Sequence, residues 1–247
     1  MDIATFFVIL AGASATALLN CALRHRSDPL AAALMLSVGG GIVAIPVLCI
    51  TGLPAMASAP YLVSATILAC LYWIFIGKAY VSGEVGTVFP LAYGAAPALV
   101  LVASSLLVQE YPTIQQLIVI ALITCGLFLV LFAGTNTSAF ANRTVLLNCL
   151  AVMFVIAGYT INDALGARVS GNPFAYTAFL YVTGGISTAV YGLLFHKQRL
   201  ARALPDGWRP ALFWGAASLA IYSGELWAMT RAPIALVAAL RESSILF

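Results

Sequence analysis

Nine apolar stretches, each close to the ~20 residues that cross ~30 Å of hydrocarbon, fill almost the whole sequence. They run at about 3–23, 29–52, 61–83, 85–108, 113–134, 145–166, 173–195, 210–231 and from 233 onward. The breaks between them carry turn chemistry: RHRSDP at 24–29, GLPAMASAP at 52–60, QEYPT at 109–113 and GTNTSAFANR at 134–143. ARVSGNP at 167–173, HKQRLARALPDGWRP at 196–210 and TRAP at 230–233 complete the set. Pro29, Pro112, Pro173, Pro210 and Pro233 stand where helices begin, in the first turn that proline tolerates. Composition agrees: 8% of residues are charged and 63% hydrophobic, against a usual ~25% charged in soluble domains. Such a chain has too little polar surface to cover itself in water. The pattern predicts an all-α, polytopic membrane helix bundle without a separate soluble domain.

The same composition excludes other classes. A net charge of +3 with no basic, aromatic-laced run gives no footprint for nucleic acid. Cys21, Cys49, Cys70, Cys125 and Cys149 fall in apolar runs without a CxxC pair and read as small buried packers. His25 and His196 are the two histidines, both in breaks. No nucleophile elbow, paired aspartates or HExxH motif accompanies them, so no enzyme, metal or cofactor is expected. MDIATFF at the start has an acid where a cleaved leader carries basic residues, so the first helix is expected to stay.

The halves match each other locally. Asn20 in LLNCAL lies over Asn162 in TINDAL. Pro29–Leu30–Ala31 with Gly40–Gly41–Ile42 lies over Pro173–Phe174–Ala175 with Gly184–Gly185–Ile186, and Ala79, Val88 and Leu91 lie over Ala228, Val237 and Leu240. The offsets of 142, 144 and 149 keep one order along the chain. A first unit of five helices makes the second enter from the opposite side, as two inverted five-helix repeats do. The expected units are 1–134 and 144–247. In this register Phe247 falls over Ala98, inside helix 4. The second unit is then expected to continue to about residue 283, leaving about nine helices present, helix 10 missing and the sequence C-terminally truncated.

The stretch from Gly77 to Leu131, GKAYVSGEVGTVFPLAYGAAPALVLVASSLLVQEYPTIQQLIVIALITCGLFLVL, resembles the signature half of the EamA family of the drug/metabolite transporter (DMT) superfamily. Pro90, Pro97, Glu110 and Gly126 fill the places of its Pro-containing, acid-ended helix 4 and Gly-containing helix 5. WAMTRAPIALVAALRESSILF at the C-terminal end looks like the start of the matching region in the second half. The resemblance implies ten helices in two inverted repeats around a central cavity. It implies an exporter or exchanger of small metabolites such as amino acids, or of drugs, working by alternating access. Helix 10 and the second acidic helix end are where this sequence departs from the family.

Charges inside spans are costly and default to function. Arg241 lies eight residues past Pro233, ~12 Å deep, and Glu225 six before Arg231, ~9 Å deep at 1.5 Å per residue. The expected arrangement pairs Arg241 with Glu225 and turns Glu242 toward the cavity, since adjacent helical residues point ~100° apart. That makes Arg241 an anchor for an anionic group beside a protonatable carboxylate, with proton coupling an option. A closed interhelical triad touching no substrate is the alternative. Lys78 either snorkels outward or lines the cavity. Tyr93, at the repeat position of Glu242, with Tyr222 and Trp227, are aromatic cavity candidates beside a packing or belt reading. Asp163 is expected to pair at the membrane boundary with Arg168 or Arg231, and Glu110 to mark the end of helix 4. Glycines 39–41 and 184–185 permit close backbone approach or bending, while Pro90 and Pro97 are expected to kink helix 4.

The reading that follows is a multi-pass transporter of the cell inner membrane, monomer or homodimer, with a small-molecule substrate and the lipid bilayer as partners. A non-transporting membrane scaffold or accessory protein is the alternative. Arg24, Arg26, Arg143, Lys197, Arg199, Arg202 and Arg209 lie on one side, against Arg168 and Arg231 on the other. The bias places the basic side in the cytoplasm and the N-terminus outside, whereas the family resemblance implies an N-terminus inside.

Overall fold

The computed structural model describes residues 2–24, 28–82, 93, 96–134 and 143–243. Among them are nine α-helices and no strand: α1 Ile3–Arg24, α2 Pro29–Thr51, α3 Ala59–Ser82, α4 Ala96–Ala103, α5 Ile114–Gly134, α6 Arg143–Val169, α7 Pro173–Phe195, α8 Lys197–Met229 and α9 Ile234–Glu242. Three described helical stretches, Ala31–Thr51, Arg143–Val169 and Pro173–Phe195, are long and apolar enough to cross a membrane.

Local chemistry sets several helix starts. The Asp28 carboxylate accepts from Ala31 N at 3.1 Å, directly before Pro29. Asn172 does the same for Phe174 N at 3.0 Å, directly before Pro173. Each satisfies a donor that the first helical turn leaves open. At α5 Thr113 and Gln116 form a reciprocal capping box, with Thr113 N donating to Gln116 Oε1 at 2.9 Å. α2 stops at Gly52, whose φ of +78° suits glycine. α4 passes into a π-helical turn over Ser104–Val108, and Gln109 ends it in the left-handed region at φ 59°.

One expectation about helix bounds fails. The segment 196–210, read as a break, is helical from Lys197 onward, and α8 carries Pro205 and Pro210 inside it. KQRLARAL is rich in strong helix formers, and burial of its Leu200 side against α7, where Leu200 meets Gly192, favours continuing the helix. Pro97 lies on α4, and residues 94 and 95 just before the helix lie outside the described residues. Pro90 lies outside the described residues. Among the cysteines, Cys149 is buried, but Cys49 and Cys125 are exposed on the outer face, contrary to their reading as buried packers.

α2 packs against α7 and α8, α3 against α6, and α4 against α6 and α9. Glycine makes the first of these contacts: a Cβ on Gly41 would stand 3.0 Å from Gly185 Cα, and one on Gly185 2.9 Å from Gly41 Cα. A Cβ on Gly215 of α8 would strike the backbone of Gly39 and Gly40. Small residues let backbones approach where lipid gives no hydrophobic drive between helices. Gly184 contributes nothing of this kind, since a Cβ there meets open space.

The connections alternate between two ends. Arg199 reaches Asp28 at 3.8 Å, placing the α7–α8 junction beside the α1–α2 junction. At the other end Ala55 N donates to Ser170 O at 3.1 Å, joining the α2–α3 and α6–α7 connections. Polarity is inverted relative to a protein folded in water. Ile50 is 86% exposed and Leu194 71%, while Asp163, Glu225, Arg241 and Glu242 are each below 10%. The centre is α9, whose Ile234 to Ala239 are all buried against α6, α8 and α4.

Candidate functional site

α6, α7, α8 and α9 meet around four buried charges. Arg241 donates to Glu242 Oε1 from Nη2 at 2.7 Å and from Nε at 3.0 Å. Its Nη1 stands 3.8 Å from Glu225 Oε2 on α8, and Nη2 reaches Thr160 Oγ1 on α6 at 3.5 Å. The expected Arg241–Glu225 pairing is therefore present as the longer contact. Glu242 holds the shorter one, which corrects its placement as a group turned away from Arg241. The ~100° step separates Cβ directions, yet the long arginine side chain folds back along its own helix to the neighbouring carboxylate. The closed triad is the arrangement observed, and it occupies the guanidinium that an anionic substrate would need.

One turn along α6 from Thr160 lies Asp163, 3% exposed. It accepts from Tyr222 on α8 at 2.6 Å, Tyr176 on α7 at 3.2 Å and Asn162 at 3.1 Å. Asn162 also donates to Tyr61 O at 2.8 Å and accepts from Ser64 on α3. Asp163 is thus a buried hub, and the expected boundary pairing with Arg168 or Arg231 is wrong. The apolar span ends near 166, but α6 runs to Val169, which puts Asp163 six residues, ~9 Å, from its end. The acid inside TINDAL was the signal that could have found it.

The other candidates divide. Tyr222 joins the cluster through Asp163. Tyr93 meets Tyr72 hydroxyl to hydroxyl, and the Tyr72 ring stands edge-on to Tyr159 at 6.5 Å. Tyr159 adjoins Thr160 in sequence, so an aromatic file leads from α3 and Tyr93 toward Arg241. Trp227 is not brought to the cluster: the Arg231 guanidinium lies 4.4 Å over its ring, near the end of α8. Lys78 lies on α3, and its side chain, like that of Asn20, falls outside what is described.

A second polar assembly closes the end of the bundle nearest Trp227. Glu110, just past the π turn, pairs with Arg168 and accepts from Ile234 N at 2.9 Å, the first residue of α9. Arg168 donates to Met229 O from Nε at 2.9 Å and from Nη2 at 2.7 Å, and reaches Ala232 O at 3.4 Å. One ion pair thus fastens the ends of α4, α6 and α8 to the start of α9. Carboxylate at a helix N-terminus and guanidinium on the last carbonyls of a helix both complement the helix dipole.

No family model and no curated protein matches this chain. One solved chain, described only as a crystal structure of a protein, aligns with 99% of this chain and 86% of its own at a TM-score of 0.74 and 18% identity. At that identity the likeness carries the fold alone.

Proposed function

We propose that the protein is a multi-pass transporter of the cell inner membrane, an exporter or exchanger of small metabolites or drugs similar to the EamA family. On this reading α1–α5 and α6–α9 are inverted repeats. The observation that carries it is the enclosed polar cluster of Asp163, Glu225, Arg241 and Glu242, seated where four helices of an otherwise apolar bundle converge. A bundle held only by packing has no use for four charges at its centre. The mutual contact of Gly41 and Gly185, one repeat offset apart, supports the two-fold arrangement. So do the matching caps of α2 and α7.

The charge inventory favours a cation or a proton over the anion expected from the sequence. Among the described residues three carboxyls, Asp163, Glu225 and Glu242, share the cluster with one guanidinium, which is already committed to Glu242 and Glu225. A cationic substrate group or protons would balance the remainder. The Glu110–Arg168 clamp then acts as the closed gate at its end of the path. Its parting would free α9 to move.

The same closed triad favours a second reading, in which Arg241 is a stationary interhelical tie in a membrane scaffold. Reconstitution separates the two. The purified protein in proteoliposomes is tested with a panel of cationic, zwitterionic and anionic metabolites, with and without an imposed proton gradient. Saturable flux of cationic or zwitterionic members, lost in Asp163→Asn and Glu225→Gln, supports transport. An inserted, folded protein that moves nothing under any gradient supports the scaffold.

A further inference from the structure

We infer that the groove between α2, α7 and the first half of α8 is a binding site for a phospholipid with an anionic headgroup. The groove encloses about 460 Å³ and is lined almost wholly by carbon, including Met35 and Ile42 of α2, Leu193 of α7, and Leu200, Leu204 and Trp208 of α8. Lys197 lines it as well, at the first residue of α8. With 33 residues, α8 is ~50 Å long against ~30 Å of hydrocarbon. Its uninterrupted apolar run begins only after Pro210. The turns before that proline are amphipathic, with apolar residues and Lys197 on the groove and Arg199, Arg202, Asp206 and Arg209 off it, the pattern of a helix at headgroup level.

Charge identifies the occupant. Residues 197–210 hold Lys197, Arg199, Arg202 and Arg209 against Asp206, a net +3, which equals the net charge of the whole chain. Every excess positive charge of the sequence therefore sits on the segment that walls this groove. Lys197, Arg202 and Arg209 are exposed; Arg199 is engaged with Asp28, and the Arg209 guanidinium lies 5.1 Å over the ring of Trp208. Basic residues beside an apolar crevice at the bilayer surface select a phosphate-bearing anionic headgroup, with an acyl chain in the crevice. A zwitterionic lipid fills the same space without the attraction.

The inference rests on the chain crossing a bilayer and not on its moving a substrate, so failed transport leaves it intact. Trp208 supplies the readout. The protein is reconstituted in vesicles of fixed size containing equal mole fractions of acyl-brominated phosphatidylglycerol or acyl-brominated phosphatidylcholine. The Trp208 contribution to quenching is taken as the difference from Trp208→Phe. Apparent affinity is expected to favour phosphatidylglycerol about fivefold, the attraction of one cation near an anionic surface. Lys197→Glu, at an exposed position, is expected to bring the two lipids to parity, and Ala201→Phe, which fills the groove, to remove Trp208 quenching by both. Equal quenching in the wild type, or a preference unchanged by Lys197→Glu, overturns the assignment.

Discussion

Replacing Arg241 with methionine keeps most of its apolar length and removes the cation that Glu225 and Glu242 share. Both ion-pair contacts disappear, together with the 3.5 Å reach to Thr160 Oγ1. The fork onto Glu242 Oε1 is lost at 2.7 and 3.0 Å, as is the 3.8 Å approach to Glu225. At 3.8 Å a pair of unit charges is worth ~4 kcal/mol at an effective dielectric near 20. Breaking a buried pair by removing one partner costs about 3–5 kcal/mol, because the survivor is left desolvated. For a chain of this length 1 kcal/mol moves Tm by roughly 2–4 °C, so Arg241→Met should melt about 6–20 °C below wild type. The same bookkeeping says that removing both sides is nearly harmless. The triple variant Arg241→Met, Glu225→Gln, Glu242→Gln should therefore recover most of the loss. Thermal unfolding by tryptophan fluorescence, in one detergent and at one scan rate, measures all three proteins. An Arg241→Met protein that melts with the wild type, or a triple variant no more stable than the single one, refutes the reasoning.

Other perturbations test other joints. Tyr222→Phe deletes the 2.6 Å hydrogen bond to Asp163 and should cost about 1.5–3 kcal/mol, the range for a bond to a charged group, read in the same melting assay. Gly215→Ala drives a methyl into the backbone of Gly39 and Gly40 and should cost at least 1–3 kcal/mol as overpacking. Gly126→Ala, with open space around it, should be neutral or slightly stabilising. Arg168→Ala releases Glu110 and the carbonyls of Met229 and Ala232. A cysteine placed at Ala232, buried in the native clamp, should then react with an impermeant maleimide several-fold faster than in the Arg168 parent. Unchanged labelling would mean that the clamp does not hold that end closed.

The parts of this molecule that local chemistry decides were legible in the residues. Pro29 and Pro173 mark helix starts in the sequence, and the structure begins α2 and α7 at those residues, with Asp28 and Asn172 as their caps. The close approach at Gly41 and Gly185 was legible too, because only glycine lets two backbones touch. The long α8 was not, since prolines and charges mark a break by composition while packing on neighbouring helices keeps the segment helical. Asp163 was misplaced because its depth depends on where α6 ends, and its partners Tyr176 and Tyr222 come from two other helices. Arg241 and Glu242 were assigned to separate faces by treating side chains as rigid spokes. A guanidinium on four rotatable bonds is under no such constraint.

The position of Arg241 and Glu242 side by side on one helix has a mechanical consequence. A charge dragged through low dielectric does work against its own image in the surrounding medium, and a lone arginine would resist any displacement of α9. Here the guanidinium carries its compensating carboxylate on the next residue. The two shift as one dipole, whose field falls off faster with distance than that of either charge. Glu225, fixed on α8 at 3.8 Å, makes the longer contact and is the partner left behind. Sliding α9 past α8 therefore strands no cation: the arginine keeps its partner, and the carboxyl on α8 is the group whose surroundings change.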